Sequence, residues 1–399
     1  MPQSVPVNPE ILRWARNEAG YSLSDAVTHA GITPPRKKKD SPELTAEDRL
    51  AAWEEGLDTP SYAQLKGIAS AYKRPLFTFF LPEPPTKMVT MADYRTLGNR
   101  TSPKDTPEFS ALRRRLIILH HELRELLREA GSQKLPFIGS MSEDASVKEF
   151  AESIRSVLNA KIEEQAGTGD EKTLLKYLRT SAEDAGIFVI YAGNLGSHHS
   201  KISAEEFRGI AIADELAPMV VVNPNDVDVA KVFTLVHELA HLWLGSKAIS
   251  SFNALAQKSA DSHREKLCNR VAAEFLVPES DLRDKWEVSE CDIEQGVKNL
   301  GKHFHVSEAV IARRLLDLDC IGSDDYGNLL AIYQARWKNI KDKQSEQDSA
   351  PSPAVMDKYR LGEKTIHTII GAANEGRIGL QDAARLMNIP VSRFDKVMP

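Results

Sequence analysis

The stretch FTLVHELAH at residues 233–241 decides how the rest of this chain is interpreted. It contains an HExxH pattern, in which His237 and His241 are four positions apart and therefore lie on one face of a helix, one turn apart. Their imidazoles can converge on one ion, while Glu238, rotated by about 100° around the helix, can reach a water molecule beside that ion. This spacing predicts a zinc-dependent hydrolase.

The residues around this pattern predict a buried helix. It begins after the Asn-Pro-Asn-Asp sequence at 223–226 and ends at Gly245, a residue type that commonly terminates helices. Buried histidine and glutamate side chains need a partner, and a metal ion supplies one. The alternative is a chance match in which both histidines are hydrogen-bonded core residues. The apolar side chains that surround the pattern are Val232, Phe233, Val236, Leu239, Ala240 and Trp243.

A zinc site of this kind needs a third ligand. The metzincin extension requires Gly at position 244 and His at 247, but this chain has Leu244 and Lys247. A carboxylate from the following helix is the other common solution, and Glu265 fits it because Glu265 and Asn269 are again four positions apart on one helix face. In this interpretation Glu265 binds zinc and Asn269 orients a ligand imidazole. The alternatives that stay open by distance are Glu274, His263 and Asp261.

Short apolar, partly β-branched runs precede the HExxH helix and predict a small sheet. These runs are Ile187–Tyr191, Phe207–Ala213 and Met219–Val222. The Asn-Pro sequence after the third run suggests that Met219–Val222 is an exposed edge, beside which a substrate backbone could add as a strand. Helical patterns flank the sheet near 146–160, 170–185, 260–276, 290–303 and 307–318. The pattern is typical of an α+β fold.

The first 82 residues predict a small helical domain of the helix-turn-helix type. Ser22 with Asp25, and Thr45 with Asp48, are capping-box pairs that start short helices. Residues 1–75 contain ten basic and ten acidic side chains, and the candidate recognition helix at 45–55 is mostly acidic, which opposes contact with phosphates. We therefore expect a protein partner for this domain, with DNA binding possible but weakly supported.

The remaining segments complete a five-part organisation. Residues 83–107 are rich in Pro, Thr and Lys and predict a linker, and residues 108–340 form the main domain. A second linker at 341–355 leads to a C-terminal helical domain at 356–399. The main domain starts with a long helix at 108–130, whose adjacent His120 and His121 are interpreted as surface residues. The apolar stripe of that helix is Leu112, Leu116, Leu119, Leu123 and Leu127.

Two motifs together resemble the ImmA/IrrE family of metallopeptidases. They are FTLVHELAH at 233–241 and EKLCNRVAAEFLVP at 265–278. The sequences WEEG at 53–56 and RPLF at 74–77 resemble the repressor-like (XRE) helix-turn-helix module that is often fused to this core. GRIGLQDAAR at 376–385 is similar to the family's C-terminal end.

The resemblance implies a zincin-like, gluzincin-type metallopeptidase core between helical N- and C-terminal domains. It implies a cytoplasmic zinc endopeptidase that cleaves a regulatory protein, such as a repressor or antitoxin, in phage, mobile-element or stress control. The expected zinc ligands are His237, His241 and Glu265, and Glu238 is the expected catalytic base. Asn269 stands where related zincins often carry Asp, so this neighbour of the ligands is neutral.

Composition limits the other classes of function. With 399 residues, 42% hydrophobic and 27% charged, the chain is long enough for more than one hydrophobic core. Its three cysteines include no CxxC pair, which disfavours a disulfide scaffold and fits a reducing cytosol. The net charge of -6 gives no general attraction for nucleic acid, and no apolar run approaches the roughly 18 residues of a membrane helix. The rival functions are a transcriptional regulator that keeps its metal for structure, and a toxin or anti-repressor that sequesters its partner without cleavage.

Overall fold

The computed structural model describes residues 7–35, 44–85, 106–196, 200–245, 261–287, 292–341 and 352–397. The chain forms two compact units. Unit 1 comprises Met1–Ile118 and Asn194–Ile202, and unit 2 comprises Leu119–Gly193 and Ser203–Pro399. The residues of the predicted zinc site all belong to unit 2.

Unit 1 contains four short helices, α1 (Pro9–Glu18), α2 (Leu23–Ala30), α3 (Ala46–Glu54) and α4 (Tyr62–Ala71), followed by a 3-10 helix at Leu76–Phe80. Both predicted capping boxes are confirmed: the Ser22 hydroxyl accepts the Asp25 N–H at the start of α2, and the Thr45 hydroxyl accepts the Asp48 N–H at the start of α3. The centre of the unit is apolar and includes Leu12, Leu50, Trp53, Leu65 and Phe79. The basic run at 36–39 and most of the predicted linker at 83–107 lie outside the described residues.

The long helix α5 (Pro107–Glu129) confirms the predicted helix but changes its buried face. Its last buried leucine is Leu126 and not the predicted Leu127. Buried residues on one helix face are spaced alternately three and four positions apart, to match the period of 3.6 residues per turn, and two successive spacings of four move off that face. His120 is also buried, at 3% exposed, so its interpretation as a surface residue was wrong. It shares the inward face of α5 with Leu119 and Leu123.

The sheet of unit 2 has three strands, β1 (Phe188–Tyr191), β2 (Gly209–Ile212) and β3 (Met219–Val222), in the order β1-β3-β2. Strand β3 pairs with β1 in parallel and with β2 antiparallel, with Gly209 opposite Val222. The prediction that Met219–Val222 forms an edge was therefore wrong, since β3 has a neighbour on each side. The Asn-Pro sequence after β3 instead connects the end of β3 to the residues before β2, because the buried Asn223 donates from Nδ2 to the Phe207 carbonyl (3.0 Å).

Helices surround this sheet. They are α6 (Val147–Leu158), α7 (Ile162–Ala166), α8 (Glu171–Asp184), α9 (Asp228–Trp243), α10 (Asp261–Leu276), α11 (Glu279–Glu287), α12 (Ile293–Phe304), α13 (Glu308–Asp317) and α14 (Ser323–Lys341). Helix α9 lies at the centre, in contact with α8, α10, β2 and β3. One hydrophobic core joins these elements and includes Val189, Val222, Leu239, Phe275 and Phe304. The mostly helical architecture with a small mixed sheet agrees with the predicted α+β class.

The C-terminal segment forms α15 (Pro353–Leu361), α16 (Glu363–Asn374), α17 (Leu380–Met387), a 3-10 helix at Val391–Arg393 and α18 (Phe394–Val397). These helices belong to the same compact unit as the sheet, and α15 and α16 contact β1. The Glu183 carboxylate accepts the Glu363 N–H (3.0 Å), and Arg179 donates to the Tyr359 carbonyl. Arg179 and Glu183 form an ion pair, and Gly362 lies against it with a φ angle of +81°. A Cβ at position 362 would collide with both side chains. Residues 342–351 of the predicted second linker lie outside the described part.

Candidate metal centre

The connections at both ends of α9 fix its position. Before the helix, Asn225 donates from Nδ2 to the Gly193 carbonyl (2.8 Å), and Asn223 is held as described above. After it, the N–H of Gly139 donates to the Leu242 carbonyl (3.0 Å) and the N–H of Met141 to the Trp243 carbonyl (2.9 Å). These bonds satisfy carbonyls that a helix C-terminus leaves without partners inside the helix, so the whole of α9 can be buried.

Helix α10 carries the predicted third ligand and is anchored at its far end. Gln165 is 1% exposed and donates from Nε2 to the carbonyls of Leu276 (2.8 Å) and Phe304 (3.1 Å). Helix α10 also packs along both α9 and α6. Its first half is thereby placed beside the HExxH turn of α9.

Three predicted ligands meet at this place. The Nε2 atoms of His237 and His241 are 3.1 Å apart. The Glu265 carboxylate lies 3.2 Å from His237 Nε2 through one oxygen and 3.3 Å from His241 Nε2 through the other. Both histidines are buried, at 2% and 1% exposed, while Glu265 keeps 19% of its side chain accessible.

The donor set suits zinc. Two imidazole nitrogens and one carboxylate form one of the usual three-residue sets of catalytic zinc sites, which leave a fourth position open. Donors bound at about 2.0–2.2 Å in a tetrahedral arrangement are roughly 3.3 Å apart, and the three separations found here lie at or slightly below that value. The residues present therefore fit a Zn²⁺ ion.

The electrostatics of the three side chains point the same way. Burial works against a charged Glu265, but hydrogen bonds with His237 and His241 outweigh it and lower the pKa of Glu265 to about 2. Burial lowers the pKa of His241, which keeps that ring neutral at pH 7. Burial also acts to lower the pKa of His237, but hydrogen bonding to Glu265, the Glu238 charge and the Asn269 side chain raise it. Metals bind carboxylates and neutral imidazoles, so Glu265 and His241 are already in the binding form, whereas His237 has to release any proton it holds when an ion binds.

The predicted supporting residues lie next to the ligands. Glu238 is 2% exposed and close enough to raise the pKa of His237. Asn269 is one turn after Glu265 on α10, and its side chain helps to raise the pKa of His237; that it orients a ligand imidazole stays a prediction. Cys268 lies between them in sequence and is fully buried, and burial raises the pKa of its thiol, so it is a poor nucleophile.

One comparison with known proteins bears on this centre. Residues 182–316 match the family model of the M78 peptidases, described as the IrrE N-terminal-like domain. The match spans the sheet and both helices that carry the ligands. M78 peptidases are zinc-dependent, so the match supports the ImmA/IrrE resemblance and indicates a metallopeptidase. It does not reach residues 1–181 and so does not bear on the predicted helix-turn-helix module, and no curated protein matches the chain.

The structure separates two of the open alternatives for the third ligand, Glu274 and His263, from this M78-like centre; the side chain of Asp261 lies outside the described part. Glu274 forms an ion pair with Arg314 and accepts the Glu279 N–H (3.3 Å). His263 is exposed and lies 3.6 Å from Glu143. Asp261 begins α10, one turn before Glu265. Among the described residues, only His237, His241 and Glu265 form a cluster with the composition and spacing of a metal site.

Polar residues in and beside the sheet that could stabilise an oxyanion are Tyr191, Arg208 and the His198–His199 pair. Tyr191 packs in β1 against Tyr359, with ring centroids 4.7 Å apart, and Arg208 lies 3.4 Å from Asp226. His198 and His199 are outside the described residues. A residue that sequence reasoning missed is Gly209, whose Cα faces Glu238. The available signal was a glycine inside the predicted strand Phe207–Ala213, a position that often marks close approach of another group.

Proposed function

We propose that this protein is a zinc-dependent endopeptidase in which His237, His241 and Glu265 hold the ion and Glu238 is the general base. The observation that carries the proposal is the convergence of two buried imidazoles and one ionised carboxylate on adjacent helices. The match to M78 peptidases covers these same helices.

The chain's own groups supply the proton transfers and hold the reactants. Zinc, when bound, supplies a Lewis acid that activates water and polarises a peptide carbonyl. Glu238 accepts the proton of the attacking water and later returns it to the leaving amine, so one carboxylate serves both halves of the hydrolysis. Its burial excludes bulk water from that exchange.

Strand β2 is the proposed binding edge for the substrate backbone. It is an outer strand of the described sheet and contacts α9. Because the Asn223 N–H bonds to the Arg208 carbonyl (2.8 Å), the alternation of antiparallel pairing turns the backbone groups of Gly209 and Ala211 away from β3. These are the groups with which an extended peptide would pair beside the ligand cluster, although all four residues of β2 are buried in this structure.

The proposed substrate is a regulatory protein such as a repressor or antitoxin. The short capped helices of unit 1 are of the kind found in repressor-like modules, and the equal numbers of acidic and basic residues within residues 1–75 favour a protein contact over a phosphate contact. Zinc proteolysis of such a partner would make this chain part of a phage, mobile-element or stress circuit that acts in the cytoplasm.

The test compares wild type with Glu238→Gln, using the product of the neighbouring regulator gene as substrate and intact mass as readout. The amide keeps the side-chain shape but cannot accept the proton, so cleavage should fall by about two to four powers of ten while zinc content and partner binding persist. Glu149→Gln on the exposed side of α6 is the matched control and should cleave like wild type.

Three outcomes would contradict the proposal. Equal cleavage by wild type and Glu238→Gln would exclude Glu238 as the base. Tight binding without cleavage by either protein would favour an anti-repressor that sequesters its partner, and operator-specific DNA binding without proteolysis would favour a transcriptional regulator.

A further inference from the structure

Gly209 lies directly against the side chain of Glu238. It is the first residue of β2, and a Cβ built on it would be 2.6 Å from Glu238 Cγ and 2.7 Å from Cδ, and closer still to Oε1. Real Cβ atoms essentially never come within 3.0 Å of another heavy atom. Any side chain at position 209 therefore has to move Glu238.

Backbone conformation does not explain this glycine. Gly209 is absent from the residues of the described chain that have positive φ, and it pairs in regular antiparallel register with Val222. The three residues that follow it in β2 all carry side chains. The position requires glycine because of the space beside it, not because of its φ angle.

We propose that Gly209 is a positioning residue: because it has no side chain, the Glu238 carboxylate can lie against the backbone of β2. This inference rests on the proposed role of Glu238 as general base. Glu238 is 2% exposed on a helix that β2, β3, α8 and α10 enclose. A methyl group at 209 would push the flexible end of Glu238 away from β2, while the backbone of the strand stays in place.

The same residue also faces the proposed substrate edge. Its N–H and C=O point away from β3, whereas the direction of a Cβ is toward α9. Gly209 would thus hold the base directly beside the backbone that pairs with the peptide. A substitution here should disturb proton transfer more than peptide binding, and so lower kcat with little change in KM.

The first experiment measures kcat, KM and zinc content of full-length Gly209→Ala with the regulator that the wild type cleaves. We expect bound zinc to stay at the wild-type level and kcat to fall by about tenfold or more, within the range that a lost general base can cost.

The second experiment tests the contact without any substrate. Thermal unfolding midpoints are compared for wild type, Gly209→Ala, Glu238→Ala and the double variant. Since Glu238→Ala removes Cγ, Cδ and Oε1, the decrease caused by Gly209→Ala should disappear in the double variant. Gly371→Ala in α16, where a Cβ meets nothing within 4 Å, is the control that should show no coupling to Glu238.

The results separate this inference from the proposed function. If no variant cleaves but the unfolding midpoints are coupled, the peptidase proposal fails and the placement of Glu238 by Gly209 stands. If wild type cleaves and Gly209→Ala keeps its kcat, or if its cost is the same with Glu238 present and truncated, the positioning role is overturned.

Discussion

Replacing Glu265 with alanine is the sharpest test of the metal centre. The change removes the carboxylate that lies 3.2 and 3.3 Å from the two imidazole nitrogens, and with it the only negative charge among the three donors. A residue that merely orients a ligand is worth about 10–100-fold in metal affinity. Glu265 supplies both a donor atom and a charge, so its loss should have a larger effect than the loss of an orienting residue. We expect zinc affinity to fall by more than about 100-fold, or about 2.7 kcal/mol.

The matched control is Glu274→Ala, which removes a glutamate from the same helix. Glu274 pairs with the buried Arg314, so this change should lower the free energy of unfolding by about 3–5 kcal/mol while the folded protein keeps its zinc. Zinc dissociation constants are measured by competition with a chromophoric chelator, and total zinc by elemental mass spectrometry. Undiminished affinity in Glu265→Ala would refute the assignment, and loss confined to Glu274→Ala would transfer it to Glu274.

Three further predictions concern other contacts. Asn269→Ala should weaken zinc binding by about 10–100-fold without removing a ligand, which the same chelator competition measures; wild-type affinity would exclude its interaction with His237 as a support for the metal. Gly362→Ala should lower the unfolding midpoint, because φ +81 is strained for alanine and the new methyl meets the Arg179–Glu183 pair, and an unchanged midpoint would contradict this packing. Burial lowers the pKa of His120, so below about pH 6.5 the unfolded chain takes up a proton that the folded chain does not, and the free energy of unfolding falls on acidification. In denaturation measured at several pH values, His120→Gln should therefore lose less stability than wild type as the pH falls below about 6.5. Equal losses in the two proteins would contradict this prediction.

Local patterns in the sequence predicted the local parts of the fold. The capping pairs at Ser22 and Thr45 involve residues three positions apart, so sequence spacing alone determines whether they can meet. The same holds for His237 and His241, whose convergence follows from the period of the helix. The strand segments were also found, because β-branched runs between turn residues carry their own signal.

Features that depend on distant partners were missed. The pairing of Met219–Val222 on both sides depends on β1 and β2, and nothing within the run itself records how many neighbours it has. His120 is buried because its face of α5 packs inward, although its sequence neighbour His121 is exposed. Gly209 is required because Glu238 occupies the space beside it. The two residues are 29 positions apart, and no periodic pattern in the sequence predicts a contact over that distance.

The outer strand β1 is covered by the C-terminal part of the chain. Along β1, Arg179 donates from Nη2 to the Val189 carbonyl (2.6 Å), and α15 and α16 pack beside the strand. An exposed strand is a template for any extended chain, including another copy of the same protein. By covering β1 with its own C-terminal segment, the protein withholds this strand from pairing with other chains and makes growth of the sheet into aggregates less favourable.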